Sequence, residues 1–179
     1  DAEMVAIAVE SLKEIGLDGF EIAMGQIGFF KGMLKEIGLD SQTYLNVRDA
    51  FSKKEMLRVE ELLSGISKIR RDKLLKIADL FGKEEILDKA EAIADNKESK
   101  RSVQNIRDVY RILKLYGLEK YILIDLTEVR GFDYYTGILF EVFVKGIGYE
   151  IGSGGRYDSL LAKFGFDCPS TGFALDVER

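Results

Sequence analysis

The 179-residue sequence contains no histidine and a single cysteine. Without histidine there is no imidazole to act as general base or metal ligand. One thiol, Cys168, can form neither an internal disulfide nor a thiolate metal cluster. A reducing, cytoplasmic setting is therefore expected. No uninterrupted apolar run approaches the roughly 20 residues of a membrane span. No signal-peptide pattern opens the chain, so a membrane partner is not expected. The net charge of −5 argues against a general nucleic-acid surface. Chemistry is left to carboxylates, arginine, lysine, tyrosine and backbone groups, with no metal or cofactor expected.

What is present reads as an ordinary globular chain, 46% hydrophobic and 32% charged. Its length suits one domain with an inserted subdomain. In "DAEMVAIAVESLKEIGL", apolar Met4, Val5, Ile7, Ala8, Leu12 and Ile15 recur at three- and four-residue spacing. That spacing predicts an amphipathic helix, with Asp1 as its cap and Gly16 as its end. "FEIAMGQIGFF" alternates as a strand does, and "KGMLKEIGL" reads as a short helix closed by Gly38. From Ser41 to Gly117 the chain is rich in Lys, Arg, Glu, Leu and Ile, with breaks at Gly65, Gly82 and "ADNKES". This stretch is expected to be a helical insertion, 41–117, between a first core segment, 1–40, and a second, 118–179. Its basic run "KIRRDKLLK" is read as a solvated helix face in preference to a phosphate contact.

From Tyr121 the period changes to that of strands. "YILIDLTEV", "TGILFEVFVKG" and "YEIGSGG" follow one another, and the turn "VKGIGY" predicts an antiparallel hairpin. "RYDSLLAKFG" reads as a short helix, and "STGFALDVER" as a returning strand. The fold class expected is α+β, an antiparallel sheet flanked by helices with a helical insertion.

Three stretches are candidate sites. In "VRGFDYYTG", Arg130 and Asp133 flank Gly131 at a strand end. Tyr134 and Tyr135 would face opposite sides of an extended chain. Arg130 could grip a carboxylate or phosphate with its planar fork. The bland alternative is an ion pair beside two packed tyrosines. In "GSGGRYD", Gly152, Gly154 and Gly155 permit close backbone approach, and Arg156 and Asp158 follow. Anion binding and a bulge at a sheet corner are both open there. In "TGFALDVER", Gly172 begins a strand with Phe173, Leu175 and Val177 on one alternation and Asp176 and Glu178 on the other. Arg179 ends it.

In this order the three stretches resemble the catalytic core of the histidyl-tRNA synthetases, a class II aminoacyl-tRNA synthetase fold. "RGFDYYTG" and "GSGGRYDSLL" resemble that family's two histidine-binding signatures, and "GFALDVER" its third class II motif. The opening helix resembles the one that follows the second motif. The resemblance spans essentially the whole chain. It implies that Tyr134 and Tyr135 help form a histidine pocket, that Arg130 meets carboxylate or phosphate oxygen, and that Gly154, Gly155 and Arg156 form the pocket wall.

One departure bears on activity. The third motif in the synthetases carries a second glycine, against which the nucleotide lies, where this sequence has Asp176. Aspartate there sets a negative charge beside a polyanion and opposes ATP binding. Gly172, Asp176 and Arg179 are therefore read as a degenerate ATP site. The resemblance then favours the non-synthetase branch of the fold, the regulatory subunit of ATP phosphoribosyltransferase in histidine biosynthesis. It implies no catalytic residues of its own, a short catalytic subunit as partner, histidine as ligand, and a homodimer within a hetero-oligomer. A catalytic fragment of a histidyl-tRNA synthetase is the alternative.

Overall fold

The computed structural model describes residues 1–129 and 134–176. Among these, a six-stranded sheet is flanked by seven α-helices. The helices are α1 (Ala2–Glu14), α2 (Ile27–Ile37), α3 (Ser41–Ser52), α4 (Met56–Leu62), α5 (Lys68–Leu75), α6 (Glu85–Ile93) and α7 (Lys97–Leu115). The strands are β1 (Phe20–Gln26), β2 (Phe81–Gly82), β3 (Ile122–Asp125), β4 (Ile138–Val144), β5 (Gly152–Arg156) and β6 (Thr171–Leu175). Their spatial order is β2-β3-β1-β4-β5-β6.

The sheet is not purely antiparallel. β1 and β3 pair in parallel, with Ile22 opposite Ile122, while the other four pairings are antiparallel. Parallel neighbours need a long crossover. The helices between α2 and α7 supply it, which is why a large helical stretch fits between these strands. α7 lies in the region expected as an insertion, yet it packs on both α1 and α2. The Ser99 hydroxyl of α7 donates to the Phe29 carbonyl of α2 at 3.3 Å. Buried residues from both parts of the chain share one hydrophobic cluster, from Val5 and Leu12 through Val59 and Leu74 to Ile124 and Phe140.

Several element boundaries depart from the sequence reading, each through a named contact. The strand in "FEIAMGQIGFF" stops at Gln26, whose side chain accepts from the Gly28 N–H at 2.6 Å and so starts α2 early. Phe29 and Phe30, read as strand residues, become buried helix positions. In "YILIDLTEV" the strand ends at Asp125, whose carboxylate accepts from the Thr127 N–H at 2.8 Å and its hydroxyl at 2.6 Å, turning the chain. "RYDSLLAKFG" forms only a short 3-10 turn at Leu161–Phe164, and its arginine belongs to β5. α1 buries Val5, Ala8 and Leu12 as expected, but Ile7 and Ile15 are exposed. Asp1 sits at its N-cap without a side-chain capping bond. No helix among the described residues is long and apolar enough to cross a membrane.

Candidate functional site

The site lies where the chain enters β4 and leaves β5. β4 and β5 pair with Leu139 opposite Gly155 and Phe140 opposite Gly154. A methyl group on Gly154 would fall 2.4 Å from Phe173 Cβ and 2.6 Å from the Gly172 carbonyl oxygen. One on Gly155 would fall 2.8 Å from the Tyr135 ring. The space these glycines leave is thus filled by neighbouring aromatic rings and strands.

Tyr134 and Tyr135 do not face opposite sides of an extended chain. β4 begins only at Ile138, and the two rings meet edge to face at 4.9 Å with a 77° interplanar angle. Tyr134 also stacks on Tyr157, at 5.0 Å and 28°. Around Tyr134 and Tyr135 lies a cavity of about 260 Å³, lined also by Thr136, Leu160, Lys31 and Lys163. Lys31 arrives from α2 and donates to the Tyr135 carbonyl at 3.5 Å.

Arg156, a candidate anion grip, is engaged by carboxylates of the chain itself. Its Nε donates to Asp1 Oδ1 at 2.8 Å, and its guanidinium also donates to Asp158 Oδ1 at 2.9 Å. The Asp158 N–H donates to the Thr136 hydroxyl at 3.0 Å, and the Ser170 N–H to Asp158 Oδ1 at 3.1 Å. The Thr136 N–H donates to the Arg156 carbonyl at 2.8 Å. This knot fixes the start of α1, the approach to β4, the end of β5 and the approach to β6.

Among the degenerate-ATP residues, Gly172 lies beneath Tyr157, whose hydroxyl is 2.6 Å from where a Gly172 Cβ would stand. Asp176 follows the opposite end of β6, its N–H donating to the Ile151 carbonyl at 2.8 Å. Gly172 therefore joins the tyrosine cluster and Asp176 does not. Arg130 and Arg179 lie outside the described residues, as does Asp133. Tyr157, Lys31, Thr136 and Lys163 belong to the site and were not singled out from the sequence. Tyr157 stands inside the quoted "GGRYD", so its type and place were signal enough. Lys31 is 104 residues from its bonding partner, and nothing local announces it.

Burial raises the Tyr135 phenol above its ordinary pKa of 10.0, partly offset by a hydrogen bond with Ser153. Burial raises Tyr134 in the same direction. A folded state that holds its phenol protons more tightly is stabilised below the unfolded pKa, and that contribution is lost as pH rises through the raised value. The melting temperature is expected to fall as pH rises through and beyond 10.0, and Tyr135→Phe is expected to flatten that fall. Parallel melts across this range check it, and identical slopes for both proteins would contradict the burial of this phenol.

A mixed, mainly antiparallel sheet with the glycine-rich β5 between β4 and β6 defines a class II aminoacyl-tRNA synthetase-like core. A family model described as histidyl-tRNA synthetase matches residues 1–179, and the chain belongs to that family. A curated relative from Geobacter sulfurreducens, an ATP phosphoribosyltransferase regulatory subunit, is 42% identical over 99% of this chain and 41% of its own length. One of the same description from Thermoanaerobacter sp. is 42% identical over 100% of this chain and 48% of its own. A crystal structure of an ATP phosphoribosyltransferase regulatory subunit/histidyl-tRNA synthetase from Bacillus halodurans superimposes with a TM-score of 0.94 at 29% identity. It covers 99% of this chain and 48% of that one. The chain spans less than half the length of each of these proteins.

Proposed function

We propose that the chain is part of a regulatory subunit of ATP phosphoribosyltransferase, acting in histidine biosynthesis. The subunit has no catalytic activity of its own. It is needed for the activity of a short catalytic subunit, and it conveys feedback by histidine. The observation that carries this reading is the 42% identity, along essentially the entire chain, to curated proteins of that description. Asp176 supports it, because its charge opposes ATP binding at the third motif. The tyrosine-walled cavity supports an amino-acid ligand, with Tyr134 and Tyr135 as its aromatic side and Tyr157 stacked on Tyr134. Gly154, Gly155 and Arg156 shape that wall from behind, the glycines by admitting the rings and Arg156 by holding Asp1 and Asp158. Arg130 is assigned to the ligand's carboxylate. The subunit works as a cytoplasmic homodimer within a hetero-oligomer, with residues 41–117 inserted between the core segments 1–40 and 118–179.

Feedback requires that histidine bind the inhibited and active states with different affinity. The test mixes the full-length parent protein with a purified short catalytic subunit and follows phosphoribosyl transfer to ATP. The expected result is activation that histidine reverses. The second reading, a synthetase, is favoured by the description of the matching family model. Histidine-dependent ATP–pyrophosphate exchange by the parent protein, with no effect on the transferase, would establish it instead.

A further inference from the structure

Ser153 is a polar side chain at the tyrosine site that the proposed function leaves without a role. It stands in β5 opposite Glu141 of β4 and Ala174 of β6. Side chains two apart in a strand share a face, so Ser153 and Gly155 look onto the same side of the sheet. Tyr135 lies on that side. A methyl group on Gly155 would fall 2.8 Å from its ring, at Cε1. The Tyr135 hydroxyl shares a hydrogen bond with Ser153. The ring is thus laid against β5, its edge over Gly155 and its hydroxyl at Ser153.

The other contacts of Tyr135 place its ring and not its hydroxyl. Tyr134 meets the ring edge to face at 4.9 Å. Such contacts are tolerant of sliding, and the second side-chain torsion of a tyrosine is soft. A hydrogen bond is the directional restraint. Around Ser153, neither Gly155 nor Ala174 carries a hydrogen-bonding side chain. The charge of Glu141 disfavours ionisation of the phenol, whereas the bond with Ser153 acts the other way.

A tyrosine that recognises a ligand through its hydroxyl must hold that hydroxyl to a fraction of an ångström, and groups behind it supply the restraint. We propose that Ser153 is a positioning residue of the tyrosine-walled cavity. By anchoring the Tyr135 hydroxyl it fixes where that hydroxyl meets the side chain of an amino-acid ligand. Gly155 gives the ring its place, and Ser153 gives the hydroxyl its direction. This inference rests on the histidine-binding part of the proposed function.

The first test needs no ligand. In the full-length parent protein, tyrosine labelled with carbon-13 at Cζ gives one signal per phenol, and Tyr135→Phe identifies that of Tyr135. Ser153→Ala is expected to shift this signal, and an unshifted signal would overturn the anchoring. The second test is calorimetric titration of the same proteins with histidine. Ser153→Ala is expected to weaken binding about fivefold, and Ser153→Thr, which keeps the hydroxyl, to hold it within about twofold of the parent. In the Tyr135→Phe background Ser153→Ala is expected to cost nothing further, because the hydroxyl it serves is gone. Ser153 is exposed, so unchanged melting temperatures are expected of its variants. A parent protein that does not bind histidine would overturn the ligand assigned under the proposed function, and this role with it. Histidine binding that Ser153→Ala leaves unchanged, or weakens equally with and without the Tyr135 hydroxyl, would overturn this role alone.

Discussion

Gly154→Ala is expected to destabilise the fold by about 3 kcal/mol, at the upper end of what overpacking costs. The reason is the nature of the obstacles. The added methyl would meet Phe173 Cβ at 2.4 Å, the Gly172 carbonyl oxygen at 2.6 Å and the Phe140 ring at 2.7 Å. A flexible side-chain tip could move aside, but a β6 carbonyl cannot do so without parting the β5–β6 ladder, in which Gly154 stands opposite Phe173. Parting that ladder also lifts Gly172 away from Tyr157 and so disturbs the stack of Tyr157 on Tyr134. Gly148→Ala is the matched control. Nothing lies within 4 Å of the methyl it would add, and a change within about 0.5 kcal/mol is expected. Urea denaturation of both variants checks the pair. Equal midpoints would mean that β5 and β6 are not held at this distance.

The same glycines show how far the sequence could be read. Three glycines in four residues signalled a close approach, but not what approached. A ligand was one answer and a neighbouring strand another. The choice depends on Phe173, Phe140 and Tyr135, which reach the glycines from three other places in the chain. Local pattern did carry the hairpin of β4 and β5 and the helices after Ser41, because hydrophobic period and turn residues are local properties. It did not carry the parallel pairing of β1 with β3, which is a matter of topology. The early start of α2 was missed because glutamine is an unusual cap, and here the Gln26 side chain accepts from the Gly28 N–H. At the site, the tyrosine pair was legible and its geometry was not. Opposite faces follow from extended backbone, whereas Tyr134 and Tyr135 precede β4 and meet edge to face.

Arg156 is the residue whose expected role changes most. An arginine after a glycine-rich turn suggested anion binding, and it does bind anions, but those of Asp1 and Asp158. Its side chain is 29% exposed and that of Asp1 only 11%, so this pair is better shielded from water than a surface ion pair. Arg156→Ala leaves the Asp1 carboxylate without its cation and frees Asp158, which also receives the Ser170 N–H. A loss of about 2 kcal/mol is expected, between the values for exposed and fully buried pairs. Arg156→Lys keeps the charge but not the fork that serves two carboxylates at once, so an intermediate loss is expected. In a double-mutant cycle with Asp1→Asn, a coupling of about 1 kcal/mol is expected, because the second substitution removes a partner already lost. The cycle is measured by chemical denaturation of the full-length parent protein. Additive losses, or an Arg156→Ala protein as stable as its parent, would deny the strut between α1 and β5 and return Arg156 to the ligand. The expected coupling would instead tie the tyrosine site to the first helix, because Asp158 also holds Thr136 in the cavity wall.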